Sequence, residues 1–279
     1  MGGVAGDWVK TTMFYSLKRH PFPVEAHFKH CLVLAYTFPE SVLAPLLPPG
    51  LTLDPYEDRG FVAVALVETE HLRPAGMPAA LGQNFILTGY RIFARYRTPE
   101  GRNLRGLYIL RSDTDRALMT ALGNQFTHYQ YHHAHIAWEA DADELRVSVK
   151  SDTPGEADLL VTADLTSIPA PLPPGSPLPD LKTARRYAGP LPFTFDYEKE
   201  TGSIIRVQGK RAVWEPQPVR VSVERCTFLD HPMFGGVAPV LANAFHVQDI
   251  EYRWEAGVVA PAVNSHPSDG SDAPAEETE

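Results

Sequence analysis

The segment His128-Tyr129-Gln130-Tyr131-His132-His133-Ala134-His135 carries four imidazoles and two phenols over eight positions. Imidazole titrates near neutrality and phenol is a weak acid, so such groups can move protons or hold a polar ligand. On an extended strand, Tyr129, Tyr131, His133 and His135 share one face, and His128, Gln130, His132 and Ala134 share the other. The odd-numbered face is the candidate site, with Tyr131 and His133 as a proton-moving pair and Tyr129 and His135 as substrate contacts. The same pattern also fits a surface ladder of aromatic and imidazole groups.

Arg91 and Arg95 fall on one face of the run Phe85 to Arg97, which they share with Leu87, Gly89 and Phe93. An inward Arg91 beside the space left by Gly89 suits a substrate carboxylate held bidentately, whereas Arg95 is expected to face solvent. His133-Ala134-His135 followed by Glu139 is a spacing that suits zinc, iron or copper. The glycines that would frame such a motif are missing and no second histidine motif follows. No metal and no cofactor are therefore expected, and a His-ligated metalloprotein stands only as an alternative. Glu68 and Glu70 share a strand face and fit either an acid and base pair or an exposed edge. Lys29 and Lys150 are not expected to act as nucleophiles. The sequence contains no Gly-x-Ser-x-Gly, no phosphate-binding loop and no Gly-x-Gly-x-x-Gly, and Gly235-Gly236 reads as a turn.

Most of the chain that must position these residues reads as strands: Phe61 to His71, Phe85 to Arg97, Leu104 to Arg111, His128 to Glu139, Glu144 to Ser151 and Asp158 to Leu165. Further runs are Ser203 to Val207, Arg211 to Glu215, Val219 to Cys226 and Gln248 to Glu255. They are rich in Val, Ile, Tyr and Phe and are separated by Gly, Pro, Asp or Asn. Helices are expected from Glu40 to Leu47, stopped by Pro48-Pro49-Gly50. Another should follow Ser112 as N-cap and bury Ala117, Leu118, Ala121 and Leu122, and a third should run from Val237 to Phe245. No alternating strand and helix rhythm is present, which argues against a parallel dinucleotide-binding sheet. The class is α+β, mainly antiparallel β.

One domain is expected over residues 25–263, after an extension over 1–24. Its prolines at 169, 171, 173, 174, 177 and 179 make 168–181 an exposed excursion, and 264–279 reads as a disordered acidic tail. The net charge is −9, of which Asp269, Asp272, Glu276, Glu277 and Glu279 supply five. The mildly acidic remainder offers no footprint for nucleic acid or an anionic membrane. Cys31 and Cys226 are the two cysteines. Without a secretory signal or a long apolar run, they imply a reduced, cytoplasmic protein.

Several landmarks in the first half occur together. They are Leu47-Pro48-Pro49-Gly50-Leu51 closing a short helix, the strand Phe61-Val62-Ala63-Val64-Ala65-Leu66 after an Asp-Arg-Gly turn, and His71-Leu72-Arg73-Pro74-Ala75-Gly76. Tyr90-Arg91 and Leu104-Arg105-Gly106-Leu107-Tyr108-Ile109-Leu110 follow. Over roughly residues 25–255 the chain resembles the bacterial family DUF2071 of the acetoacetate decarboxylase-like superfamily. The resemblance implies a strongly curved antiparallel sheet or cone-shaped barrel with a few short helices, around a small-molecule pocket. Relatives of known chemistry use a lysine that forms a Schiff base with a keto acid. Aligning Tyr-x-Tyr-x-His-Ala puts Tyr131 where that lysine would stand, and a phenol cannot form an imine. Arg91 is kept, while Leu87 replaces an acidic residue. The implied function is an enzyme, lyase- or hydrolase-like, acting on an organic acid or carbonyl compound without a Schiff base. A non-catalytic ligand-binding protein is the main alternative. The expected partner is that small molecule, with self-association into a homo-oligomer left open.

Overall fold

The computed structural model describes residues 15–189 and 191–262. The tail expected at 264–279 lies outside the described residues, as does the extension before residue 15. The strands are β1 (Val24–Pro39), β2 (Leu51–Leu53), β3 (Arg59–Pro74), β4 (Gln83–Arg97), β5 (Asn103–Thr114), β6 (Tyr131–Ala140) and β7 (Glu144–Ser151). After them come β8 (Leu159–Asp164), β9 (Phe193–Glu198), β10 (Ser203–Arg211), β11 (Gln217–Pro218), β12 (Arg220–Cys226), β13 (Val240–Trp254) and β14 (Val258–Pro261).

They form one large curved sheet in the order β12-β8-β7-β6-β5-β9-β10-β13-β1-β3-β4-β2, with β11 on β13 and β14 on β10 off that path; β5 also pairs with β4, so the path returns on itself. Pairing is antiparallel except where β5 meets β6 and β9. β1, β3, β4 and β13 are 15 or 16 residues long and form the body of the sheet.

The alternation of side chains divides these long strands between two apolar cores. On one face, Leu32, Leu34, Val62, Val64, Leu66 and Tyr90 pack against Leu145, Val147, Val149 and Val161 from the β6-β7-β8-β12 extension. On the other, Cys31, Val33, Ala63, Ala65 and Val67 lie with Phe28, Leu107 and Tyr252. Ala63 and Ala65 are small, so this second face leaves open space above it.

The helix expected from Glu40 is present as Glu40–Leu43, continued by a 3-10 turn at Ala44–Leu46 that ends before the two prolines. The other two helix expectations need correction. Ser112 is no N-cap: β5 runs on to Thr114, paired with β4, and the helix is Ala117–Phe126 with Arg116 at its start and no side-chain cap. Asp115 instead accepts the Ile86 N–H at 2.7 Å. This helix buries Met119 and Gly123, while Leu118 stays 58% exposed. No helix covers Val237 to Phe245. That stretch enters β13, whose Leu241 joins one core and whose Phe245 joins the other.

Arg211 to Glu215 is likewise not a strand, since β10 ends at Arg211. The proline-rich segment does not stand clear of the body: Ala170 and Leu178 are buried, the Ala170 N–H donates to Pro218 O (2.9 Å), and Ser176 Oγ donates to Ala242 O (2.7 Å). Among the described residues, no helix is long and apolar enough to cross a membrane.

Candidate functional site

The open face of the sheet bounds a cavity of about 280 Å³. Its floor is Cys31 and Val33 of β1, Ala63, Ala65 and Val67 of β3, Leu87 and Arg91 of β4, and Leu107 and Ile109 of β5. Met119, Leu122 and Phe126 of the helix Ala117–Phe126 close one side, and His20, Pro21 and Phe22 close another. These apolar walls are the usual lining of a small-molecule site, where a few polar groups set orientation.

The polar groups converge. The alternation of side chains along β4 sends Tyr90 into the opposite core and Arg91, on the same face as Leu87, into the cavity. The guanidinium folds back over Gly89: a Cβ there would lie 2.8 Å from Nη2 and 2.9 Å from Cζ. Glycine therefore makes the room that Arg91 occupies. Among the described residues Arg91 has no hydrogen bond and no ion pair.

Tyr131 is set by Asn124, whose Nδ2 donates to Tyr131 O (2.8 Å) and whose Oδ1 accepts the Tyr131 N–H (2.9 Å). Gly123 lets the Tyr131 ring lie against the helix, because any Cβ there would collide with the ring. The chain enters β6 through Gln130 at φ 51°, and the Tyr129 and Tyr131 ring centroids are 6.4 Å apart. Tyr252 of β13 completes the group, stacked on Phe28 at 4.9 Å.

Burial pushes the Tyr131 hydroxyl up to about 12 and those of Tyr129 and Tyr252 upward as well, with the Arg91 charge pulling each back. All three are protonated at neutral pH and able to donate a hydrogen bond, and the Tyr252 oxygen also accepts one from Arg211. Among the described residues the buried Tyr129 hydroxyl has no partner. Burial also raises the Cys31 thiol to about 12, which removes it as a nucleophile. It holds the His20 imidazole, at the cavity edge, down to about 4. No lysine, aspartate or glutamate lines the cavity among the described residues.

Of the residues singled out in the sequence, the structure brings Arg91, Tyr129 and Tyr131 together and leaves His133 and His135 outside. β6 pairs with β5 only over Tyr131, His132 and His133 and then with β7. The strand face that looks into the cavity at Tyr131 therefore looks to solvent two residues later. There His133 Nδ1 lies 3.1 Å from Asp152 Oδ1, and His135 is 79% exposed. No group of three metal-ligating side chains is assembled among the described residues. Glu68 pairs with Lys29 at 3.3 Å. Arg95, expected in solvent, pairs with the buried Asp54 at 2.6 Å. Sequence reasoning missed Cys31, Thr194, Tyr252 and His20 in the lining. Only the apolar run Cys31 to Phe38 carried a signal, as a strand buried on both faces.

A family model described as DUF2071, uncharacterized conserved protein, matches residues 25–248. The chain belongs to this family. No curated protein sequence matches it. Among solved structures it is similar to the enduracididine biosynthesis enzyme MppR complexed with pyruvate, at TM-score 0.58 and 11% identity over 86% of this chain and 90% of that one. Acetoacetate decarboxylase from Legionella pneumophila matches at TM-score 0.55 and 14% identity, over 86% of this chain and 88% of that one. An acetoacetate decarboxylase-like enzyme from Sphingomonas wittichii RW1 matches at 0.55 and 11%, over 87% and 94%. At these identities the likeness establishes the fold, which is acetoacetate decarboxylase-like, and leaves the chemistry to the site.

Proposed function

We propose that this DUF2071 protein binds a small organic acid in the cavity, with the ligand carboxylate on Arg91 and with Tyr129 and Tyr131 donating hydrogen bonds to its oxygens. The observation that carries the reading is the Arg91 guanidinium, which reaches an apolar cavity with no ion pair among the described residues. A permanent cation in such surroundings is stabilised by an anion. MppR, which shares the fold, has been solved complexed with pyruvate, itself a small carboxylate.

Imine chemistry has no support in the lining, because no described lysine reaches it. A catalytic version of this reading keeps Arg91 as anchor and uses Tyr131 as proton donor to a carbonyl or enolate oxygen. It is favoured by one feature: the Tyr131 hydroxyl remains protonated beside a fixed positive charge. His133 has no part in it, because β6 turns from β5 to β7 there and the imidazole lies beside Asp152 outside the cavity. The test is a panel of small carboxylates in a melting assay on the wild type and Arg91→Met. Stabilisation of the wild type alone supports the reading, and equal behaviour of the two proteins overturns it.

A further inference from the structure

Beyond the cavity, the same face of β4 and β5 carries a second concentration of positive charge. Asp54 is fully buried, and three guanidinium groups converge on its carboxylate. Arg95 donates from Nε to Oδ1 at 2.7 Å, Arg105 donates from Nε to Oδ2 at 2.5 Å, and Arg186 Nη2 lies 3.5 Å from Oδ1. Tyr187 holds the group from below: its ring lies 5.8 Å from Arg105 Cζ and 6.0 Å from Arg186 Cζ, and its hydroxyl donates to Pro55 O at 2.8 Å.

The charges do not balance. Among the described residues every salt bridge of these three arginines ends on Asp54, leaving a surplus of two positive charges. Other buried carboxylates in this chain are matched differently. Among the described residues Glu198 forms its salt bridge with Arg19, and Arg111 divides its arms between Asp113 and Glu156. One arginine is enough to pair a buried acid, so the second and third add mutual repulsion unless another anion is present. Their side chains remain 29%, 30% and 47% exposed, so solutes can reach them. Guanidinium groups fixed by a carboxylate and an aromatic ring form a rigid fork array, and that array suits the oxygens of phosphate.

We infer that Arg95, Arg105 and Arg186, organised by Asp54 and Tyr187, form a binding site for a dianionic phosphate group, separate from the cavity. The two sites share a strand, but Phe93 stands between Arg91 and Arg95 and packs edge-on against Tyr187 at 5.5 Å. Phosphate carries about −1.5 to −2 at neutral pH, which matches the surplus.

The experiment compares melting temperatures in inorganic phosphate and in potassium chloride of equal ionic strength. It uses the wild type, Arg186→Gln, Arg105→Gln and Arg91→Met. At saturation phosphate should raise the wild-type midpoint by about 5 °C over chloride, and Arg91→Met should respond equally. Either of the other variants that folds should lose most of the response. No excess over chloride in the wild type, or an undiminished response in Arg186→Gln and Arg105→Gln, would overturn the site. A glycerol 3-phosphate arm identifies the source: a larger shift than inorganic phosphate points to a phosphomonoester, and an equal or smaller one to free phosphate.

Discussion

Replacing Arg91 with Met removes the fixed charge in the cavity and keeps most of the side chain's apolar volume. A bidentate carboxylate contact consists of two charge-assisted hydrogen bonds, each worth about 1.5–3 kcal/mol. Losing both costs about 3–5 kcal/mol of binding, or a factor of about 10² to 10⁴ in Kd. A ligand present at one hundred times its Kd stabilises the wild type by about 2.7 kcal/mol. For a chain of this size that is about 5–11 °C in the melting midpoint. After a loss of 10² or more, the same concentration adds at most about 0.4 kcal/mol, a shift of under about 2 °C. The ligand-free variant should melt at or above the wild type, because Arg91 has no ion pair among the described residues and its removal relieves an uncompensated charge. Differential scanning fluorimetry against acetate, pyruvate, acetoacetate and longer acids reads all of this directly. The reasoning fails if no carboxylate stabilises the wild type beyond a chloride control, or if Arg91→Met gains as much as the wild type does.

Gly89→Ala should reproduce the binding loss without touching the arginine: the new Cβ would sit 2.8 Å from Nη2 and drive the guanidinium aside. Its ligand-free stability should change by less than about 1 kcal/mol, since displacing a flexible side-chain end is cheap and alanine narrows the unfolded ensemble; unaltered affinity by calorimetry would refute the geometry. Borohydride added with pyruvate or acetoacetate should leave the intact mass unchanged, and a mass increase on any lysine would restore the imine route. His246, buried beside His30 at 3.0 Å, is held down to about 4 by burial and by that neighbour. Its unfolded value is the higher, so this stability is complete above about 6.5 and drains away as pH falls toward 4, by up to about 3 kcal/mol. His246→Gln should flatten the acid limb of midpoint against pH, and an unchanged limb would assign it elsewhere. Lengthening a straight-chain carboxylate from acetate to hexanoate should tighten binding about fourfold per methylene, at about 0.8 kcal/mol each, until the cavity is full; affinity independent of length would mean the ligand body does not enter the apolar part.

The sheet was legible wherever a strand buries one face and exposes the other. β7 reads Glu144 to Ser151 in sequence and in structure because its burial alternates residue by residue. β1 was missed although it is central, because it sits between β13 and β3 and is buried on both faces from Cys31 to Phe38. Its sequence, Cys-Leu-Val-Leu-Ala-Tyr-Thr-Phe, has lost the period of two that identifies a strand. β13 suffered the same way: Leu241 and Phe245 are four apart and mimic a helical stripe, while in the strand they serve opposite cores. At the site, Arg91 could be found because Gly89 lies two residues away on the same face, and spacing of two survives in the folded strand. His133 and His135 could not be told from Tyr131 by spacing, since their face is continuous. Only the pairing partner changes, from β5 to β7, and pairing is a property of the tertiary fold.

The contrast between an amine and a guanidinium explains how one curved sheet can serve different chemistry. A nucleophilic lysine must be neutral part of the time, which a dry cavity achieves by depressing its pKa. Arginine stays charged in the same surroundings, so an apolar lining cannot turn it into a nucleophile and can only strengthen its attraction for an anion. The described lining holds Arg91, protonated tyrosine hydroxyls and a thiol raised by burial, and no lysine or carboxylate. Those groups donate hydrogen bonds and positive charge but take up no proton at neutral pH. A substrate here can be held and polarised through its oxygens. Of the described lining, the His20 imidazole differs: held down to about 4 it is neutral at neutral pH and is the group able to accept a proton, and its depressed value makes it a weak base.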